Sequence, residues 1–270
     1  SSQYPDRTGR ALGAMDTIGQ FGGMVAPLVV IFFLAVFVWQ GVFVLGAVLS
    51  FLCGILFYIR VRSDNTLHVR SVESSTDTNF SSDETVSYAT AFADRRLLVF
   101  MLVTMLFTFA WNGLSSFFPL YLATEKGLTG GAAGTLYSLL FAVSVSQAVT
   151  GDLGDRVGQL RVSVLLFLAM FLGVILLLVA DSVVVLVGVT LLVGVSFHGF
   201  RPVRDSYLMD NIPENIGGGT LGVIRTGMTA VGAVAPAIIG FLSDTAGFDI
   251  AFGLIGGVVA VGGALTLMLR

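Results

Sequence analysis

Val162-Ser-Val-Leu-Leu-Phe-Leu-Ala-Met-Phe-Leu-Gly-Val-Ile-Leu-Leu-Leu-Val-Ala180 runs for nineteen residues without a charge, and Ser163 is its one polar side chain. Wound as an α-helix at about 1.5 Å per residue, it is roughly 28 Å long, close to the ~30 Å hydrocarbon thickness of a bilayer. A barrel strand would be about ten residues long with alternating polarity, and no alternation is present here. The rest of the chain agrees with a helix in lipid. Only 11% of the 270 residues are charged, against the roughly 25% that a water-facing surface requires. Mean hydropathy is +0.92. The 33 glycines, 22 phenylalanines and 6 prolines suit membrane helices, which accept Gly and Pro better than soluble ones do. These figures exclude a soluble enzyme, a disordered chain and a nucleic-acid binder, and the net charge of −3 gives nucleic acid nothing to bind. The single cysteine, Cys53, lies in an apolar run and provides no disulfide framework.

Working outward from this stretch, eight apolar runs of spanning length are predicted, at about 11–36, 38–59, 97–122, 132–150, 162–180, 183–209, 220–243 and 250–269. Short breaks with turn chemistry separate them, such as Glu125-Lys126-Gly127, Asp181-Ser182 and Asp244-Thr245-Ala246-Gly247. The expected architecture is an all-α membrane bundle. Residues 61–95 differ: they are rich in Ser, Thr, Asp and Glu, have no apolar period, and read as a solvated linker. It divides the chain into 1–60, with two spans, and 96–270, with six.

Orientation follows from the basic residues, which concentrate on the cytoplasmic side of membrane proteins. With a cytoplasmic linker, thirteen of the 14 Lys+Arg fall in cytoplasmic segments or near cytoplasmic helix ends, and Lys126 alone falls outside. Both ends of the chain are then expected inside, in a multi-pass plasma-membrane protein. The ratio of thirteen Arg to one Lys points to a prokaryotic gene. The opening, SSQYPDRTGRALG, reads as a cytoplasmic loop entering a helix, which suggests a chain lacking its beginning.

Displacing the sequence by 209 residues aligns the first two spans with the last two without a gap. Leu12-Gly13 falls on Leu221-Gly222, Thr17 on Thr226, Phe32 on Phe241 and Phe43 on Phe252. Gly23-Met-Val-Ala-Pro27 falls on Gly232-Ala-Val-Ala-Pro236. Gly23 and Gly232 permit close helix approach, and Pro27 and Pro236 at equal depth bend both helices alike. Parallel repeats of this kind belong to transporters whose two halves rock about a central site.

Between the fourth and fifth spans lies Gly151-Asp-Leu-Gly-Asp-Arg-Val-Gly-Gln-Leu-Arg161. It resembles the signature loop of the major facilitator superfamily, G-x-L-x-D-R-x-G-x-x-R, with Gly151, Leu153, Asp155, Arg156, Gly158 and Arg161 all matching. Phe117-Phe-Pro-Leu-Tyr-Leu-Ala-Thr-Glu-Lys-Gly127 is similar to the end of that family's seventh helix. Pro236-Ala-Ile-Ile-Gly240 with Asp244 and Gly247 is similar to the end of its eleventh. The resemblance implies that the chain corresponds to helices five to twelve, with 1–60 the last two helices of the N-terminal half and 96–270 the C-terminal half. It also implies that helices one to four are missing and would be partners supplied by the same protein. In this setting Asp155 and Arg156 can serve as a gate latch at a cytoplasmic helix end, while Gly151 and Gly158 allow the tight turn. Alternatively the basic residues only set topology.

Charges inside a span are costly and are usually paired or functional. His198, Arg201 and Asp205 share one helical face, with Arg204 and Asp210 beside them. Three readings stay open: an anion subsite at Arg201 or Arg204, a proton relay through His198 and Asp205, or charges at the cytoplasmic helix end, with Arg201 and Asp205 able to neutralise each other. Asp16 and Arg225 are repeat equivalents and are candidates for substrate or coupling roles, or for interface charges. Asn112, in a mid-span Asn-Gly pair where family members often break the seventh helix, is a cavity candidate. So are Tyr137 and Gln147, which share a face with Ser144. No catalytic constellation, phosphate loop or metal cluster is read, so neither enzyme activity nor a cofactor is expected.

The functional expectation is a secondary active transporter moving a small solute by alternating access, proton-coupled and directed to efflux. The alternatives are uptake of a small organic anion, or a non-transporting truncated or sensory membrane protein.

Overall fold

The computed structural model describes residues 22, 24–33, 40–63, 94–212 and 217–270. The described residues hold eight helices that cross or approach the membrane: α1 Met24–Phe33, α2 Gln40–Ser63, α3 Arg95–Thr124, α4 Gly130–Val157, α5 Gln159–Val179, α6 Val183–Asn211, α7 Gly217–Ala246 and α8 Phe248–Met268. No strand occurs among them. Each of the eight expected spans falls on one helix, and seven of these are long and apolar enough to cross a bilayer. The helix α1 covers only part of the first expected span. Asp16 and Gly23 lie outside the described residues, as does most of the linker.

Helix starts and stops follow local chemistry. The Asp94 carboxylate accepts the Arg96 amide at 2.9 Å and caps α3, and the Ser182 and Thr129 hydroxyls cap α6 and α4 in the same way. Glycines with positive φ, Gly127, Gly158 and Gly247, turn the chain after α3, α4 and α7. One boundary differs from the sequence reading. The signature stretch is helical from Gly151 to Val157 as the last turns of α4, and only Gly158 (φ 106°) makes the turn into α5. Its eleven residues read as a loop because they are polar, but in water at the membrane surface a polar helix end needs no apolar face.

Helices α3, α8, α5, α6 and α4 form a ring in that order, α4 returning to α3, and α7 packs beside it on α3 and α8. Aromatic rings fill its centre, among them Phe100, Phe107, Phe118, Phe167, Phe197, Phe200 and Phe252, all under 3% exposed. Polar ties close the side away from the signature turn. The Tyr121 hydroxyl donates to the Leu177 carbonyl at 3.0 Å, and Lys126 Nζ donates to the Leu178 carbonyl at 2.8 Å. The Tyr121 ring also stacks on Phe252 at 4.4 Å between centroids. By contrast, none of the α2 span is buried.

Lipid is as apolar as leucine, so helices in a bilayer gain from close backbone approach rather than from hiding oil from water. The seam between α4 and α6 shows it. A methyl group at Gly194 would lie 2.8 Å from the Leu140 carbonyl oxygen, and one at Gly199 would lie 2.8 Å from Thr150 Cγ2. Further along the seam, Gly151 meets Pro202 and Gly154 meets Val203. At the same seam α4 tightens into a 3₁₀ turn at Val143–Val145. Elsewhere Gly232 packs on Asn112 and Thr108, and Gly134 meets Ile31 of α1. Pro236 lies within α7 and Pro27 within α1.

The obstacle at Gly194 is backbone, which cannot rotate away. Gly194→Leu is expected to destabilise the bundle by about 1–3 kcal/mol, the range for overpacking a core. Gly188→Ala, where nothing lies within 4 Å of the added methyl, should be neutral or slightly stabilising. Denaturant titration of helicity in detergent, compared between the two variants, checks this.

Candidate functional site

Two groups of residues carry chemistry. The first is in the membrane, where α3, α4 and α6 meet. His198 of α6 is completely buried, with ring centroids 4.9 Å from Trp111 and 5.5 Å from Phe141, both edge-on. Trp111 also lies 5.6 Å from Phe197, and Phe141 lies 5.1 Å from Tyr137. One turn along α6, the Arg201 guanidinium carbon sits 5.3 Å above the Trp111 ring, and Arg204 sits 5.9 Å from Phe107. Such cation–π contacts strengthen when water is excluded.

The charge pairing differs from the one the spacing suggested. Arg204 Nε donates to Asp205 Oδ1 at 2.7 Å, so Asp205 pairs with its neighbour in sequence rather than with Arg201 four residues away.

Neither ring nitrogen of His198 makes a hydrogen bond of good geometry, and the same is true of the buried Gln147 amide nitrogen and Ser146 hydroxyl. The α4–α6 seam fixes their level: Leu140 and Val143 face Gly194, and Thr150 faces Gly199. Gln147 falls between those contacts in α4, and His198 falls between them in α6. A buried polar group without a well-formed hydrogen bond costs about 1–3 kcal/mol, and several of them gather here beside the 3₁₀ turn of α4.

The remaining cavity candidates sit apart. The Asn112 amide donates to the Thr108 carbonyl at 2.9 Å on the α7 side of α3. The Asn-Gly pair does not break α3, which is continuous from Arg95 to Thr124. The interruption falls in α4 instead. Arg225 is exposed on α7.

The second group is the signature turn. Arg156 pairs with Asp152 one turn earlier at 2.9 Å, and both are well exposed; Leu153, Asp155 and Arg161 are exposed too. The bond to α6 comes from a residue the motif leaves unspecified. The Gln159 amide donates to Ser206 Oγ and to Asp210 Oδ2, each at 2.7 Å. In sequence Gln159 carries no signal, because an amide at a variable motif position looks like surface. Among the described residues, no three His, Cys, Asp or Glu side chains gather to hold a metal ion.

Seven bilayer-length helices, packed around a polar and aromatic cluster and joined by a glycine turn, define a polytopic helical membrane protein. The profile of the Major Facilitator Superfamily matches residues 1–215 and 100–270, and the chain belongs to that family. It is 28% identical over 180 residues to the multidrug resistance protein MdtG of Serratia proteamaculans, covering 64% of this chain and 43% of that protein. It is 27% identical over 177 residues to the gentisate transporter of Corynebacterium glutamicum, covering 64% of this chain and 40% of that protein. The chain thus spans less than half the length of these curated relatives. The crystal structure of the peptide transporter POT in complex with sulfate superposes with a TM-score of 0.59 at 21% identity, covering 65% of this chain and 38% of that one, and supports the fold.

The Gln159 bonds bridge α5 and α6 at a partly exposed place, so Gln159→Leu should destabilise the bundle by only about 1 kcal/mol. Gly158→Ala should cost about 1–3 kcal/mol, because the backbone at φ 106° excludes a Cβ. Thermal unfolding in detergent distinguishes them: the glycine variant is expected to melt lower than the glutamine variant.

Proposed function

We propose that this chain is the part of a secondary transporter comprising helices five to twelve of the family's twelve, with residues 1–60 closing the N-terminal half, 61–95 linking the halves on the cytoplasmic side and 96–270 forming the C-terminal half. Helices equivalent to one to four complete the substrate cavity, and both ends of this chain lie in the cytoplasm of a prokaryotic cell. The solute moves by alternating access, driven by protons and directed outward. The observation that carries this reading is the group of buried polar atoms on His198, Gln147 and Ser146 that make no hydrogen bond of good geometry. A solute that docks against Trp111 and Phe141 and hydrogen-bonds to these groups would supply what the protein withholds. Efflux of apolar, drug-like solutes fits the aromatic walls and the similarity to MdtG. A second reading, uptake of an aromatic acid, is favoured by Arg201 lying over Trp111 and by the similarity to a gentisate transporter.

The test is transport by the full-length protein in proteoliposomes with an imposed pH gradient. Ethidium serves as the apolar cation and benzoate as the aromatic acid. Movement of one probe should follow the gradient and collapse with a protonophore. His198→Phe keeps the ring but removes both nitrogens, and should slow that movement about tenfold, the equivalent of one or two hydrogen bonds. Gradient-independent movement would remove the coupling. Movement of neither probe by folded protein would remove the substrate reading, and a protein that moved ethidium unchanged by His198→Phe would place the site elsewhere.

A further inference from the structure

An open groove of about 640 Å³ lies at the signature-turn end of the bundle, lined by Arg156, Arg161, Arg270, Asp155 and Tyr207 among others. Three of these residues are cations and one is an anion. Arg156 is already engaged by Asp152, but Arg161 and Arg270 form no ion pair among the described residues. At the opposite end of the bundle the cation Lys126 is committed to the Leu178 carbonyl.

What adjoins the groove decides its ligand. On α5, Leu165, Leu168 and Leu172 follow Arg161 at intervals of four, three and four residues, which keeps all four on one helical face. These leucines are 59%, 53% and 47% exposed. The stripe from Arg161 to Leu172 is about 16 Å long at ~1.5 Å per residue, close to the depth of one leaflet, half of ~30 Å. At the neighbouring end of α8, Leu267 and Met268 are exposed beside Arg270. A soluble anion would use the arginines and ignore the leucines. A zwitterionic lipid would use the leucines and gain little from the arginines.

The geometry points to a binding site for an anionic phospholipid, its phosphate headgroup between Arg161 and Arg270 and an acyl chain along Leu165, Leu168 and Leu172. Basic pockets between helices at a membrane surface hold acidic headgroups through this combination of charge and apolar wall. The inference depends on the membrane-spanning reading and not on what is transported. A transport-active protein that fails the test below loses the lipid site alone.

The full-length protein in phosphatidylcholine nanodiscs is doped with a small fraction of diazirine-bearing phosphatidylglycerol, irradiated, and its labelled peptides mapped by mass spectrometry. Labelling is expected to concentrate on 160–172 over Val183–Val185 of α6, exposed at the other end of the bundle, which serve as the bulk-lipid reference. Excess unlabelled phosphatidylglycerol should compete, whereas excess phosphatidylcholine should not. Arg161→Gln with Arg270→Gln should reduce the α5 signal at least about fivefold, given the contribution of each surface arginine to acidic-lipid binding. The α6 reference signal should be unchanged. Arg161→Lys with Arg270→Lys keeps the charge and should retain most of the labelling, which separates loss of the site from loss of the fold. Equal labelling of α5 and the α6 reference, or an α5 signal unchanged in the glutamine variant, overturns the proposal. Competition by inorganic phosphate as effective as that by the lipid would also overturn it, in favour of a free-anion site.

Discussion

The rest of the bundle is arranged around the absence of a side chain at Gly194. There the backbone of α6 reaches the Leu140 carbonyl of α4 so closely that a single methyl group would collide with it. In lipid this kind of approach replaces the hydrophobic effect as the source of helix cohesion. It also sets the geometry of everything polar nearby. At the same seam α4 tightens at Val143–Val145, and the Ser146 hydroxyl and Gln147 amide nitrogen are buried without a hydrogen bond of good geometry. The same seam brings Phe141 to the edge of His198.

The two clusters answer to different solvents. The signature turn lies at the aqueous surface, where the Arg156–Asp152 pair is well exposed and an exposed ion pair contributes little to stability. Its firm tie to α6 is through an uncharged amide, Gln159. Within α6 the cations are held by closer contacts. Arg204 rests on Asp205 and Arg201 on the face of Trp111.

Much of this is legible in sequence because the bilayer makes strict demands. A run such as Val162–Ala180 has the length and polarity of a spanning helix and of little else, and seven of the eight expected spans fall on helices long enough to cross a bilayer. Partner choice is not legible. The spacing of Arg201 and Asp205 suggests a pair one turn apart, but the long Arg204 side chain reaches the adjacent carboxylate, and sequence spacing records no such side-chain reach. The helical course of Gly151–Val157 is hidden because polar residues between two apolar runs resemble a loop, whereas the helix continues past the bilayer into water. Gln159 gives no sign at all: its role depends on Ser206 and Asp210 arriving from about fifty residues away.

Phe252 of α8 is fully buried and stacked on Tyr121. Helices α3, α8, α5, α6 and α4 close on one another, with polar ties at both ends. Such a unit can tilt as one body while its neighbour stays fixed. The friction of that motion would be met at narrow contacts such as Ile31 against Gly134, where one methyl group of α1 fits over a bare patch of α4. A pivot made from the smallest residue has little to catch on.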